Sequence, residues 1–235
     1  MNQDERLLDF NFWPSFADAM LAFVIIVIIL LVFVLFSGVM MDESIRIAQS
    51  DVTAQINANY EGELVDRYDR GTESHYVIKR NGVEEIEIYS SLQLQRITFR
   101  GSVLFPVNRY ELSPEGQEAL RTVGRAFMDQ LDAIEQIQIE GHTDSMPTGT
   151  YEEGNLELGA RRAISVLRFL EEDEELGIDP ASQLMSATSY GEFRPVSREV
   201  GQVYDMGALE AANRDDSLRQ MNRRIELLLI YRGSE

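Results

Sequence analysis

The chain has 235 residues, of which 40 are acidic and 21 are basic, so its formal net charge is −19 at pH 7. Such a charge disfavours nucleic-acid binding, because phosphate contacts need a dense array of lysine and arginine. A sequence without cysteine excludes a disulfide framework and thiolate metal ligands. Only two histidines, His75 and His142, are available for a histidine-based metal site or a Ser-His-Asp enzyme.

An apolar run near the N-terminus predicts one transmembrane helix. Residues 19–41 contain no charged side chain, and Ser37 and Gly38 are the only interruptions of the apolar sequence. About 20 such residues cross the hydrocarbon core of a bilayer. A cleaved signal peptide would need a basic n-region and a small-residue cleavage site, whereas residues 1–10 are acidic overall. We therefore expect an uncleaved anchor.

Asp18 is an ionisable residue at the start of this segment. It lies beyond Trp13, an aromatic residue of the kind found at the headgroup level, by about 7 Å along a helix. It could be an interfacial carboxylate near a helix N-terminus capped by Asn11 or Ser15. It could equally bind and release a cation inside a multi-helix assembly. Position alone leaves both readings open, and a lone apolar span predicts partner subunits.

The segments between the anchor and residue 105 are less regular. Residues 42–60 place apolar side chains at helical spacing, which fits either a short amphipathic linker helix or a seam that extends a dimer of anchors. The polar residues 66–73 predict a loop. Asn81-Gly82 lies between two β-rich arms and is a strong hairpin signal. Residues 92–105 continue in a strand-like pattern.

Helices and strands alternate more clearly from residue 113 onward. Ser113-Pro114 is an N-cap followed by an N1 proline, which predicts the start of a helix. The order β-α-β-α-β-β predicts an α+β domain in which helices pack on one mixed sheet. Its later elements are a strand around residues 137–139, a helix at 155–170, a strand at 184–189, a polar insertion at 196–220 and a last strand at 225–231.

Four motifs occur in one order along this part of the chain. They are GHTD at 141–144, NLELGARRA at 155–163, SYGEFRP at 189–195 and MNRRIELLL at 221–229. Together they resemble the OmpA-like peptidoglycan-binding domain. Combined with FADAMLAFV at 16–24, they resemble the MotB family, the B subunits of ion-driven rotary motors, in which Asp18 takes the position of the ion-carrying aspartate.

The resemblance implies a domain organisation and a location. The order is a short cytoplasmic tail at residues 1–10, a transmembrane helix at 11–41, a partly helical linker at 42–74, a β-rich lead-in at 75–99 and the OmpA-like domain at 100–235. The chain would be a single-pass protein of the bacterial inner membrane, with its N-terminus in the cytoplasm and its C-terminal domain in the periplasm.

The resemblance also implies which residues bind the cell wall. Family members grip the diaminopimelate of peptidoglycan stem peptides, a zwitterion that needs one carboxylate and one guanidinium. Motif position assigns Asp144 to the ligand's ammonium group and Arg162 to its carboxylate. Arg223 and Arg224 would brace the site or contact the ligand, and Arg224 is the one of the two that we assign to peptidoglycan binding. Asn155 and Leu158 match the intervening positions.

The resemblance also gives expectations for two further positions, His142 and Gly159. His142 is expected to be a structural residue of the GHTD turn. Gly159 departs from the family's usual serine, which would loosen the turn at the helix start. No catalytic residue, cofactor or metal site is expected, and the chain is not predicted to be an enzyme.

The implied function is a peptidoglycan-anchored motor subunit in which Asp18 carries protons, although sodium is not excluded. A homodimer of this chain would lie inside a ring of MotA- or ZorA-like multi-span subunits. The short stretch between the anchor and the first strand favours a Zorya-type antiphage motor, with the chain resembling ZorB. The spacing between Asp144 and Asn155 is familiar from flagellar MotB, so a flagellar stator is the alternative. A passive peptidoglycan tether is the alternative from another class.

Overall fold

The computed structural model of the chain describes residues 13–70, 73–199 and 201–233. These residues form two units, one that extends to Glu43 and one that covers Ser44–Gly233. The tail predicted at residues 1–10 lies outside the described residues.

The first unit is an apolar helix. Helix α1 runs over Trp13–Asn59, and its segment Trp13–Phe33 has a mean hydropathy of 3.0 with none of it buried. These 21 residues extend about 31 Å at 1.5 Å per residue, close to the hydrocarbon thickness of a bilayer. The N-terminal apolar helix predicted from the sequence is confirmed as a helix of membrane-spanning length and composition.

The second unit begins with the last turns of α1. The apolar side chains that the sequence spaces along one face are buried within this unit: Ile45, Ala48, Val52 and Ile56. Polar contacts also fix the helix, since Gln49 donates to the backbone oxygen of Leu92 at 3.0 Å and Gln95 donates to that of Gln49 at 2.8 Å. The face that could have formed a dimer seam is covered by the chain itself, and residues 44–59 are part of the folded unit rather than a linker.

A seven-stranded mixed sheet forms the centre of the second unit. Its order is β1-β2-β3-β4-β7-β5-β6; β5 and β6 pair in parallel, and the other pairs are antiparallel. The strands are β1 Glu63–Arg70, β2 Glu73–Arg80, β3 Val83–Ser91, β4 Leu94–Arg100, β5 Ile134–His142, β6 Leu184–Gly191 and β7 Arg224–Tyr231.

The lead-in strands confirm one prediction and correct another. The hairpin at Asn81-Gly82 joins β2 to β3, with both residues at positive φ, as a type I′ turn requires. The loop predicted at residues 66–73 is wrong, because residues 66–70 belong to β1. This strand lies at the edge of the sheet, where polar side chains remain in water and leave no alternating apolar pattern to read.

The helices after β4 follow the predicted order. They are α2 Gly101–Leu104, α3 Pro114–Met128, a 3₁₀ turn at Leu131–Ala133, α4 Gly154–Glu172, α5 Met206–Ala212 and α6 Asp216–Asn222. The Ser113 side chain caps α3 by accepting from the Gly116 backbone N–H at 2.9 Å. The strand-like reading of residues 101–104 is wrong, because β4 ends at Arg100 and one helical turn follows.

The order β4-α3-β5-α4-β6-β7 confirms the β-α-β-α-β-β fold class. Helices α3 and α4 and the end of α1 cover one face of the sheet, where alternate strand residues such as Ile97, Ile139 and Leu227 are fully buried. The intervening residues of the same strands point to the opposite face, which we call the outer face. The polar insertion predicted at 196–220 contributes α5 and most of α6.

Candidate ligand-binding cleft

A cleft of about 560 Å³ opens beside the end of β5 and the first turns of α4. One side is the segment 105–108, which follows α2, and another is the loop 143–148, which follows β5. The hydroxyl of Tyr151 donates to the backbone oxygen of Asn108 at 3.0 Å and so ties the two loop regions together. Four of the predicted site residues line this cleft: Asp144, Asn155, Leu158 and Arg162.

Asp144 presents a buried carboxylate at the cleft. Its side chain accepts from the backbone N–H of Met146 at 3.0 Å through Oδ1 and from the guanidinium of Arg223 through Oδ2. Asn155, at the start of α4, donates to the backbone oxygens of Asp144 at 3.0 Å and Met146 at 3.1 Å. Helix α4 therefore fixes the loop that carries the carboxylate.

Arg162 presents a buried guanidinium to the same cleft. It is 5% exposed, its Nε donates to the backbone oxygen of Arg109 at 2.9 Å, and its guanidinium lies 5.1 Å from the centre of the Phe105 ring. Burial lowers the pKa of Arg162 to about 10, so the group stays charged at neutral pH. Within the described parts of the chain, no carboxylate lies within ion-pairing distance of it. Among the described residues, this buried cation therefore has no salt-bridge partner.

Polar atoms without internal partners complete the lining. Three buried atoms have no hydrogen-bond partner within the described structure: Thr143 Oγ1, Thr148 Oγ1 and Asn155 Oδ1. Leu158 adds an apolar contact surface. Buried polar groups normally have partners, so these atoms are available to a bound ligand or to water. A carboxylate, an unpaired guanidinium and free hydroxyls in one cleft suit a small zwitterion.

The two neighbouring arginines of the NRR motif lie in different places. Arg223 lines the cleft and pairs with Asp144. Arg224, the first residue of β7, instead binds Glu226 at 2.6 Å on the outer face and is not part of the cleft lining. Arg223 therefore takes the place in the site that the sequence analysis assigned to Arg224. Of the other lining residues, Thr143 could have been predicted because it belongs to the GHTD motif. Thr148 and Phe105 lie in none of the four motifs, so the sequence did not point to them.

His142 lies behind the cleft in a buried polar cluster on the outer face. Its ring stacks on Tyr190 with 5.3 Å between centroids, and its Nε2 lies 3.4 Å from Glu140 and 3.9 Å from Glu226. Both carboxylates already pair with guanidinium groups, Glu140 with Arg194 at 2.8 Å and Glu226 with Arg224. The spacing of the three ligand atoms would fit a metal ion, but the arginine charges disfavour a further cation there.

Gly159 is a close-packing position in α4. A Cβ at Gly159 would lie 2.3 Å from the Ser189 hydroxyl and 3.1 Å from the Gly141 backbone oxygen. The Ser189 hydroxyl fills this space and donates to the backbone oxygen of Leu156 at 2.8 Å. The looser turn expected at Gly159 is therefore wrong, since the helix approaches β5 and β6 closely there.

Asp18 belongs to the first unit. Its side chain is exposed on α1 beside Pro14, Ser15, Ala17 and Leu21. It is a carboxylate directly before residues 19–41, which contain no charged side chain.

Comparisons with known proteins agree with this architecture. The OmpA family matches residues 104–203. Motility protein B of Bacillus subtilis is 27% identical over 139 residues, which cover 59% of this chain and 46% of that protein. The peptidoglycan-associated lipoprotein of Pseudomonas aeruginosa is 32% identical over 118 residues, or 50% of this chain and 57% of that protein. The chain thus spans about half the length of these curated relatives.

Solved structures support the same fold. A MotB-like protein from Desulfovibrio vulgaris aligns with a TM-score of 0.58 at 23% identity, over 83% of this chain and 99% of that one. The periplasmic domain of Helicobacter pylori MotB aligns with a TM-score of 0.51 at 19% identity, over 69% of this chain and 90% of that one. Residues 104–203 therefore match the OmpA family, and the fold of the chain is similar to that of these two MotB-type structures.

Proposed function

We propose that the chain is the peptidoglycan-anchored B subunit of an ion-driven rotary motor, a binding and transport subunit rather than an enzyme. The observation that carries the binding half of this proposal is the cleft in which Asp144 and the unpaired Arg162 face one ligand site. The curated relatives include a motility protein and peptidoglycan-associated lipoproteins, which supports both a motor and a cell-wall ligand.

The ligand is the diaminopimelate of a peptidoglycan stem peptide. Its carboxylate would pair with Arg162 and remove the cost of an uncompensated buried cation. Its ammonium group would bind Asp144, because a carboxylate has room for further donors beside Met146 and Arg223. Asn155 positions the loop, and Leu158 packs against the aliphatic chain of the ligand.

Co-sedimentation of the full chain, in detergent, with purified sacculi tests this site. Asp144→Asn and Arg162→Gln each remove one charge of a desolvated pair, so we expect binding to weaken at least about tenfold. Free diaminopimelate should compete with the sacculi for the unchanged chain. Far-UV circular dichroism confirms that the variants are folded.

The matched control is Arg161→Gln. Arg161 is the neighbour of Arg162 on α4, but its guanidinium is exposed and pairs with Glu157 at 2.7 Å. The same loss of charge should leave sacculus binding unchanged. Unchanged binding by Arg162→Gln would remove the cleft from the proposal.

The transport half of the proposal rests on Asp18. A carboxylate at the start of an apolar span is costly unless it has a partner or a role. We propose that Asp18 is protonated from the periplasm and releases the proton to the cytoplasm, inside a ring of MotA- or ZorA-like subunits around two copies of this chain. Alternating occupancy of the two aspartates would then turn the ring against the wall-anchored dimer, in the inner membrane.

Asp18→Asn separates this motor from a passive tether. The amide keeps the size and polarity of the side chain but cannot exchange a proton, so motor output should be lost while sacculus binding stays unchanged. A passive tether predicts that the same substitution is silent. Full activity of Asp18→Asn in the native host would end the motor proposal and leave the tether.

For the output of the motor we propose antiphage defence of the Zorya type, with the flagellar stator as the alternative. The folded unit starts at Ser44, only a few residues after the apolar run ends at Met41, which leaves little chain for a long tether. Deleting the gene in its host and scoring both phage plaques and swimming decides between the two. Loss of motility with unchanged plaquing would favour the stator.

A further inference from the structure

A second groove lies on the outer face of the sheet. Its volume is about 420 Å³, and we call it the outer-face groove. Outward residues of β1–β4 and β7 line it, and the segment 194–199, which follows β6, forms a wall. None of its lining residues lines the cleft that holds Asp144 and Arg162. The two sites are therefore distinct.

A row of rings forms part of the floor of this groove. The sheet register places Tyr68 opposite His75, His75 opposite Tyr89, and Tyr89 opposite Arg96. The ring centres of Tyr68 and His75 are 5.5 Å apart, and those of His75 and Tyr89 are 6.4 Å apart. All four side chains line the groove and are partly exposed. The floor thus combines flat apolar surfaces with phenol hydroxyls.

Arginine is the most frequent charged residue of the groove. Five arginines and three glutamates line the groove. Two of the arginines pair with glutamates outside the lining, Arg100 with Glu84 at 3.4 Å and Arg194 with Glu140 at 2.8 Å. The arginines are Arg96, Arg100, Arg194, Arg198 and Arg224. A guanidinium group at a concave surface attracts anions when no carboxylate pairs with it.

Two of these arginines can form hydrogen bonds or ion pairs beyond those they make with the described residues. Arg96 Nε is buried without a hydrogen-bond partner, although it lies 3.3 Å from the Glu226 carboxylate. Arg198 is exposed, donates to the backbone oxygen of Phe193 at 2.6 Å, and stacks 5.1 Å from the centre of the Tyr204 ring. In residues 13–70, 73–199 and 201–233, no carboxylate pairs with Arg198. Planar guanidinium groups of this kind bind carboxylate or phosphate through paired hydrogen bonds.

We propose that the outer-face groove binds an anionic saccharide, a sugar that carries a carboxylate or a phosphate. The arginines supply the donors for the anionic group, the ring row supplies flat surfaces for the sugar, and Glu87 and Glu199 accept from its hydroxyls. The volume is that of a site for a small ligand. This inference is independent of the proposed binding of stem peptides in the other cleft.

Isothermal titration of the full chain in detergent tests the groove with three probes. They are glucuronate, glucose 6-phosphate and glucose, which share the sugar ring and differ in charge. We expect the two charged sugars to bind at least about tenfold more tightly than glucose, since charge-assisted hydrogen bonds are the stronger ones. The stronger of the two charged probes identifies carboxylate or phosphate as the preferred group.

Arg198→Gln is the variant of choice because Arg198 is exposed and forms no ion pair with another described residue. It should weaken binding of the charged sugars about tenfold and leave binding to sacculi unchanged. Arg125→Gln, which removes an exposed arginine of α3 outside the groove, is the matched control and should bind like the unchanged chain. No binding of any probe, equal binding of glucose, or equal effects of the two substitutions would overturn the proposal.

Discussion

His142 makes the stability of the folded unit depend on pH. Burial is the main cause that lowers its pKa below the usual 6.5, and the Arg224 guanidinium lowers it further, against the opposing carboxylates of Glu140 and Glu226. As the pH falls, the unfolded chain therefore takes up this proton before the folded chain does, which favours unfolding. The contribution of His142 is complete above about pH 6.5 and is lost as the pH falls from there toward the folded pKa.

The expected result is a lower thermal midpoint at pH 5.5 than at pH 7, measured by far-UV circular dichroism of the full chain in detergent. The slope from this one group is at most about 1.4 kcal/mol per pH unit. His142→Gln should flatten the pH dependence, whatever its effect on the midpoint itself. Equal slopes in the two chains would contradict the assignment.

At the scale of elements, the contact between α4 and β5 depends on two glycines. A Cβ at Gly141 would lie 2.1 Å from the backbone oxygen of Gly159, whereas a Cβ at Gly159 would meet the movable hydroxyl of Ser189. Backbone cannot yield as a hydroxyl can, so Gly141→Ala should destabilise more than Gly159→Ala. We expect about 1–3 kcal/mol for Gly159→Ala and more for Gly141→Ala, measured by chemical denaturation.

A second substitution checks the cause. Ser189→Ala removes the hydroxyl that the new Cβ of Gly159→Ala would meet, so the double variant should be more stable than the sum of the two single changes predicts. The same partner should not rescue Gly141→Ala, because that clash is with backbone. Strict additivity in the first pair would show that Ser189 does not limit the space at Gly159.

The end of α1 offers a further prediction at this scale. Ile56 is fully buried in the core of the second unit, whereas Ile47 on the same helix is 52% exposed. Ile56→Ala should therefore cost about 2–5 kcal/mol of unfolding free energy, as other buried isoleucine truncations do. Ile47→Ala, the matched control, should cost little. If the two substitutions were equally mild in denaturation of the full chain, residues 44–59 would be a linker after all.

The sequence predicted the elements whose periodicity is strong. The apolar helix, the α3 start at Ser113, the Asn81-Gly82 turn and the β-α-β-α-β-β order all follow from local patterns or motifs. Residues 66–70 of edge strand β1 were predicted as a loop because they are mostly polar and show no alternating apolar pattern. The packing of residues 44–59 against the rest of the second unit was also not predicted, because the apolar face of a helix does not reveal which surface will cover it.

Prediction of the binding site from the sequence also had a limit, which concerned its two neighbouring arginines. Motifs in the sequence brought together Asp144, Asn155, Leu158 and Arg162, and the structure places all four at one cleft. The NRR motif could not distinguish Arg223 from Arg224, because neighbouring residues at a strand start point to opposite faces and only the register decides.

At the scale of the whole molecule, the proposed motor makes a prediction about mixed assemblies. If two copies work in alternation, one defective Asp18 should stop the pair. When equal amounts of Asp18→Asn and unchanged chain are co-expressed and pair at random, about a quarter of the dimers contain two unchanged copies. Only these dimers would be active. Activity in the host should fall toward that fraction at constant total expression, whereas a passive tether would show no such dominance.

A second substitution, added to Asp18→Asn, tests whether the dominant effect of that variant acts through paired membrane helices. The variant that carries both Asp18→Asn and Arg162→Gln lacks wall binding of its own, yet its helix can still pair with an unchanged copy. We expect it to remain dominant, because the unchanged partner anchors the dimer while one of the two aspartates stays inactive. Full recovery of activity with this double variant would mean that the copies compete for wall sites rather than work as pairs, and would count against alternation between two Asp18 side chains.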